Sequence, residues 1–218
     1  MLACQLSYPG MFISFEGIDG CGKTTQAERL VVALQNAAIP VVYTHEPSST
    51  CLGRYLRQVL LDTKNMLLTT RAETLLFAAD RAEHVETVIR PALAAGRVVI
   101  CDRFADSTRA YQGYGRQLSA DFIEQSLQLA TQGLEPDLTF LLDVPVEVAL
   151  DRLAQRGVPA HRFETAGPEF YHRVRTGFLA LAAQYPTRIQ VIDATHPPDK
   201  VQAAIWRIAA ARLTPPLM

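Results

Sequence analysis

Short apolar runs recur along the chain at Phe12–Phe15, Pro40–Thr44, Arg97–Cys101, Leu138–Asp143 and Ile189–Ile192. Runs this short read as buried strands rather than helices. Between them lie longer stretches with apolar positions three and four residues apart, the spacing of one helix face. These predict helices at Thr24–Asn36, Leu52–Leu61, Thr70–Ala95, Ala120–Gln132, Val146–Gln155, Pro168–Gln184 and Pro198–Ala211. Gly96 and Gly133 supply helix-ending glycines directly after two of them. Strands alternating with helices imply βαβ units, an α/β fold with a parallel sheet, and ligands at the carboxyl ends of the strands. Glu16, Asp102 and Asp143 end the first, third and fourth strands, so polar groups gather where that rule places a crevice.

The chemistry begins at the first strand–helix junction. Gly17-Ile18-Asp19-Gly20-Cys21-Gly22-Lys23-Thr24 has the spacing of a triphosphate-binding loop, followed by Thr25 inside the next helix. Such a loop turns backbone N–H groups and a helix N-terminus towards phosphate oxygens. Lys23 is placed to reach the β- and γ-phosphates of a nucleotide, and the Thr24 hydroxyl to ligate Mg²⁺.

Three further segments carry chemistry. Asp102-Arg103 follows the third strand, offering a carboxylate for Mg²⁺ and a planar fork for a phosphate. Phe77 and Arg81 are one helical turn apart and share a face, which could stack a base and read its edge or simply belong to the core. Asp106-Ser107-Thr108-Arg109-Ala110-Tyr111-Gln112-Gly113 reads as a polar pocket wall, with helix capping by Ser107 or Thr108 as the plainer use. The basic, Gly/Pro-containing stretch between Gln155 and Pro168 reads as a loop able to close over phosphates.

Composition narrows the partners. With 49% apolar and 20% charged residues and a net charge of −1, the chain reads as an ordinary globular protein without the basic face that a nucleic acid polymer requires. Cys4, Cys21, Cys51 and Cys101 show no metal spacing and read as reduced thiols. No apolar run approaches the ~18 residues of a membrane span, and the first residues lack a leader pattern, so the cytoplasm is the expected address. Residues 1–10 read as a loose extension, and 11–213 as one domain with a lid at about 152–167.

Taken together, the phosphate loop, Phe77–Arg81, Asp102-Arg103-Phe104, Ser107–Gly113, Arg162-Phe163-Glu164, Arg173–Ala183 and Ile189–Thr195 resemble the thymidylate kinase family from about Met11 to the last helix. The resemblance implies a P-loop kinase of the nucleoside monophosphate type, three layers around a five-stranded parallel sheet, a homodimer, and transfer of phosphate from ATP to dTMP with Mg²⁺. It implies that Gly17 to Thr25 and Arg152 hold ATP, with Lys23 on the moving group. Asp19 then meets the acceptor sugar, Phe77 stacks on thymine, Arg81 reads its edge, and Arg103 grips the acceptor phosphate. Pro47, Arg57, Ser107, Thr108, Tyr111 and Gln112 complete the acceptor pocket, with Tyr111 crowding the 2′ position. Because Gly20 stands where some relatives carry arginine, the lid supplies cations, with Arg152, Arg156 and Arg162 as candidates. Thr24, Asp102 and the lid Glu164 are the implied metal-side residues. Two departures stand out: His45-Glu46-Pro47-Ser48-Ser49-Thr50 where bacterial relatives read Arg-Glu-Pro-Gly-Gly-Thr, and His161 in place of a lid aspartate. A P-loop kinase for another small nucleotide or nucleoside, or a slow nucleotide switch, is the competing reading.

Overall fold

The computed structural model describes residues 10–61, 68–157 and 162–213; the expected extension, save Gly10, and His161 lie outside these. Among the described residues the strands are β1 (Met11–Glu16), β2 (Val41–His45), β3 (Val98–Asp102), β4 (Leu138–Asp143) and β5 (Ile189–Asp193). They form one parallel sheet in the order β2-β3-β1-β4-β5. The α-helices are α1 (Lys23–Asn36), α2 (Cys51–Leu61), α3 (Thr70–His84), α4 (Arg90–Ala94), α5 (Ala105–Thr108), α6 (Ala120–Thr131), α7 (Val146–Gln155), α8 (Pro168–Gln184) and α9 (Pro198–Leu213). The strands match the apolar runs to within a residue at each end.

Alternation along the central strands builds two cores. Ile13, Phe15, Val98 and Ile100 pack with Leu30 and Leu34 of α1 and Ile205 of α9. Phe12, Val99 and Cys101 pack in a second cluster with Val85, Ile89, and Ile123 and Leu127 of α6. Both faces of the sheet are therefore covered, which is why its strands read as unbroken apolar runs. The Phe104 ring meets Phe12 edge-on, 4.8 Å between centroids, a contact of ~0.5–1.5 kcal/mol beyond its buried area.

Two local departures from the expected elements have physical causes. The single helix expected at Thr70–Ala95 is split by a π-helical turn, Val85–Ile89, in which the Arg90 N–H reaches back to the Val85 carbonyl. Pro91 follows immediately; it has no N–H for the preceding turn, and its ring would crowd the carbonyl four residues back, which the wider turn relieves. Where a polar wall or cap was expected, α5 runs directly into a second π-helical segment, Arg109–Gly115. Ser107 and Thr108 lie inside α5 rather than at its start, so they are wall residues and not caps.

The register sets the carboxyl ends level. Phe15 and His45 both pair with Asp102, and Glu16 pairs with Leu141. Beyond β2 the chain turns through Ser48 and Ser49. The Ser49 hydroxyl accepts from the His45 N–H (2.8 Å) and from Thr44 Oγ1 (2.7 Å), and donates to the His45 carbonyl (2.5 Å). Ser48 sits at φ +108°, a left-handed backbone that penalises any side chain. That strain costs ~1–2 kcal/mol, and glycine's extra unfolded freedom returns about half of the relief. Ser48→Gly is therefore expected to raise unfolding free energy by roughly 0.5–1 kcal/mol in urea titration; a variant less stable than wild type would contradict the strain.

Candidate active site

Between β1 and α1 the phosphate loop is held tight by neighbouring backbone. A Cβ at Gly17 (φ +139°) would lie 2.5 Å from the Leu142 carbonyl oxygen, and one at Gly20 (φ +83°) 2.3 Å from that of Ala149 on α7. Both positions need glycine for conformation and for space. Lys23 opens α1, and its Nζ donates to the Ile18 carbonyl (2.9 Å), curling the side chain over the loop. Cys21 and Ile18 are buried beneath it; burial holds the Cys21 thiol above its ordinary value, so it stays neutral. Gly20, Gly22, Lys23, Thr24 and Thr25 line a cleft of about 960 Å³; Gly17 is not in its lining.

Next to the loop, β3 delivers Asp102 and Arg103. Thr24 Oγ1 donates to Asp102 Oδ2 (2.5 Å), while Asp102 Oδ1 is buried without a hydrogen-bond partner. An orphaned carboxylate oxygen beside a helix-start hydroxyl fits a divalent cation. Among the described residues no group of three or more His, Cys, Asp or Glu gathers as a metal cluster. Phosphate and water would have to complete the shell, which is how Mg²⁺ is held at nucleotide sites.

Arg103 occupies the centre. Its Nη2 meets Asp19 Oδ1 (2.5 Å) and its Nη1 donates to Ser107 Oγ (3.0 Å) and the Gly17 carbonyl (3.3 Å). The Tyr111 ring lies beneath the guanidinium at 5.0 Å. The Tyr111 and Tyr171 hydroxyls both donate to Asp19 Oδ2 at 3.0 Å. Burial works against the Arg103 charge, but Tyr111, Asp19, Asp102 and Glu16 outweigh it and hold the group well above its usual range.

The far wall is built from α3 and α5. Phe77 is half-buried, its ring touching the core on one side and lining the cleft on the other. Arg81 is buried and braced: Nε donates to Glu46 Oε2 (2.8 Å), Nη1 to Thr108 Oγ1 (2.9 Å) and Nη2 to the Phe104 carbonyl (3.0 Å). Glu46 also meets His84 Nδ1 (2.9 Å). Burial alone would raise the Glu46 carboxyl, but Arg81 and His84 overcome it and hold it below its ordinary value. Gln112 donates to Glu73 (2.9 Å), Arg57 to the Pro47 carbonyl (3.3 Å), and all line the cleft except Glu73. His45 lines it too; burial lowers its imidazole below the usual value, with the Asp102 charge partly opposing.

The lid residues divide. Arg152 and Arg156 of α7 and its C-terminal end face the cleft, Arg152 donating to the Ala194 carbonyl (3.1 Å). Arg156 pairs with the lid carboxylate Glu164 (2.7 Å). Arg162 pairs with Glu73 and does not line the cleft. In the sequence Glu16, Glu46 and Phe163 stand only as parts of longer segments, and Glu73 carries no motif at all. The three acids act through partners distant in sequence, and Phe163 seats its ring between Phe77 (6.0 Å) and Tyr111 (5.9 Å).

This geometry joins a triphosphate loop to a second, aromatic and arginine-lined pocket. A model of the family described as Thymidylate kinase matches residues 15–205. The chain belongs to the thymidylate kinase family. It is 49% identical to a thymidylate kinase of Desulfovibrio desulfuricans over 197 residues, covering 88% of this chain and 91% of the relative. It is 50% identical to a Synechococcus thymidylate kinase, covering 93% and 96% of the two chains. The crystal structure of thymidylate kinase from Ehrlichia chaffeensis superposes with a TM-score of 0.76 at 37% identity, over 92% of this chain and 100% of that one.

The turn beyond β2 contains a titrating group. Asp80 Oδ1 accepts from the Ser48 N–H (3.3 Å), and burial followed by the Glu46 charge pushes its carboxyl up to about 6. A carboxyl raised in the folded state binds protons there before it does in the unfolded chain, so its ionisation costs stability above pH 6 and that cost fades towards pH 4. Asp80→Asn keeps the acceptor oxygen and removes the charge. Urea titrations are expected to show wild type gaining on Asp80→Asn as pH falls from 7 to 4; a difference independent of pH would contradict the shift.

Proposed function

We propose that this thymidylate kinase family member transfers the terminal phosphoryl group of ATP to dTMP, giving ADP and dTDP. The observation that carries the reading is the single cleft in which Arg103 stands between the Lys23–Thr24 loop and the Phe77–Arg81–Tyr111 wall. ATP phosphates lie on Gly17 to Thr25, with Arg152 and Arg156 over them. The dTMP base lies on Phe77 towards Arg81 and Thr108, and Tyr111 and Asp19 meet its sugar.

In the transfer, an oxygen of the acceptor phosphate bonds to the γ-phosphorus as the bond to the β–γ bridging oxygen breaks, and ADP leaves with that electron pair. The acceptor is already anionic near neutral pH, its second pKa being about 6, so no general base is assigned. The barrier is repulsion between two polyanions. Arg103 and Lys23 lower it by holding both in line and meeting the charge that moves between them. Mg²⁺ arriving with ATP would be held by Thr24 and Asp102 and supplies further neutralisation of the β- and γ-oxygens. The lid cations act from Arg156, and from Arg162 once it exchanges Glu73 for phosphate.

Two further parts of the reading rest on surface and thiols. Leu52 and Tyr55 of α2, Leu75 of α3 and Leu129 of α6 are exposed, Leu129 to 80%. α3 packs against both α2 and α6, and we assign the exposed apolar side chains of these three helices to a homodimer contact. Cys21, Cys51 and Cys101 are free, in keeping with a reducing cytoplasm, and among the described residues no helix is long and apolar enough to cross a membrane.

An ADP-release assay across dTMP, dUMP, dCMP, AMP, GMP and thymidine is expected to favour dTMP. The missing methyl should make dUMP poorer by roughly the 1–3 kcal/mol of one such group. Preference for a nucleoside or a purine nucleotide would reject the assignment. Replacing Arg103 by alanine is expected to lower kcat/KM for dTMP more than about a hundredfold, since single arginines contribute ~10³–10⁵ in related transfers; near-normal turnover would remove its role.

A further inference from the structure

Glu16, the last residue of β1, is completely buried and does not line the cleft. Its two oxygens nonetheless hold Arg103 from both sides. Oε1 accepts from the N–H of Phe104, the next residue along (2.7 Å). Oε2 accepts from the Ser107 hydroxyl (2.6 Å), whose oxygen in turn accepts from Arg103 Nη1 (3.0 Å). The Arg103 N–H is fixed by the neighbouring Phe15 carbonyl (3.0 Å).

This grip answers a specific difficulty. Arg103 stands at φ +73°, a left-handed backbone unfavourable for a side chain and maintained only where the surroundings over-determine it. A small change in that turn would swing a long side chain through the whole cleft. The nearby Asp106 does not substitute for Glu16, because its oxygens are taken by Arg109 (3.0 Å) and Arg188 (2.6 and 3.0 Å).

The chemistry calls for a group with two acceptors. Ionising a carboxyl in an apolar interior is costly unless its oxygens are satisfied. Burial and then the Asp106 charge push the Glu16 carboxyl up to about 7, opposed by Ser107, Arg103 and the Phe104 N–H. Once it is ionised, both oxygens serve the Arg103 turn. Glutamine has the same shape but one acceptor and one donor. If its oxygen keeps the Phe104 N–H, its NH₂ faces Ser107 Oγ donor to donor, and the Ser107 hydroxyl loses the acceptor that fixes its orientation towards Arg103.

We propose that Glu16 is a positioning residue for phosphoryl transfer, orienting Arg103 through the Phe104 N–H and the Ser107 hydroxyl. The proposal rests on the role given to Arg103 above.

A double-mutant cycle tests it. Glu16→Gln is expected to lower kcat for dTMP phosphorylation about 10- to 100-fold, the scale of an ångström's misplacement, with KM for ATP within about twofold of wild type. In an Arg103→Ala background the same substitution should cost less than about twofold, since no guanidinium remains to be placed. Equal losses in the two backgrounds, or a loss confined to the KM for ATP, would overturn the proposal. Should Glu16→Gln fail to fold, Ser107→Ala breaks the relay alone, and its expected ~5- to 10-fold loss must likewise vanish without Arg103. Near-normal turnover of Arg103→Ala itself sinks the Arg103 reading; a crippled Arg103→Ala with additive Glu16 effects sinks only the positioning role.

Discussion

A guanidinium must be kept charged, aimed and unspent in a cleft that excludes much of its water. That constraint governs the arrangement around Arg103. The side chain is only 19% exposed, and its charge is stabilised chiefly by Asp19, which faces it directly, and by the Tyr111 ring, with Asp102 and Glu16 adding to them. Asp19 in turn accepts from the Tyr111 and Tyr171 hydroxyls, which spreads its charge over donors from the π-helical segment and α8. The phosphate loop, the strand end and two helices are thus tied at one point by charge-assisted contacts. Removing any of them leaves a charge without its partner, the costly outcome in a low-dielectric site.

The sheet makes that convergence geometrically cheap. Because β1 lies between β3 and β4, the loop following β1 and the Asp102-Arg103 pair following β3 emerge side by side, at the same level of the register. The π-helical run Arg109–Gly115 then carries Tyr111 back over the Arg103 guanidinium while Gln112 faces Glu73 on α3. A straight α-helix would not keep Tyr111 and Gln112 in these positions without shifting its turn, which fits the tendency of π-bulges to mark functional sites.

Much of this was legible in the chain, and the division follows range. The strands and the phosphate loop are encoded by consecutive residues, so Met11–Glu16 and Gly17–Thr24 could be read directly. The π-helical turn at Val85–Ile89 had a visible cause in Pro91, yet the surrounding apolar spacing outweighed it. The run after Arg103 was harder, because what shapes it comes from elsewhere. Glu16 is 88 residues from Phe104 and 91 from Ser107, and Glu73 is 89 from Arg162. Glu73 follows the same pattern: it is an acid in an ordinary sequence context that becomes informative only when the fold brings Arg116 and Arg162 to it.

The same pairing has an energetic consequence for substrate binding. Arg103 meets Asp19, Arg156 meets Glu164, Arg162 meets Glu73, and Lys23 Nζ donates to the Ile18 carbonyl. On the proposed reading, a phosphate entering the cleft exchanges one partner for another at Arg103, Arg156 and Lys23, which line it, instead of capturing bare cations. The net gain per contact is the difference between a phosphate and a carboxylate or carbonyl, a small quantity compared with either alone. Affinity then depends on several such exchanges occurring together, with donor and acceptor each releasing pairs on its own side. Arg103 is the point where the two sets meet, since Asp19 on the loop and Ser107 on the acceptor wall both contact it. On the same proposed reading, a nucleotide in only one half of the cleft leaves part of the carboxylate network intact, so the cations are fully committed to phosphate only when both substrates are present.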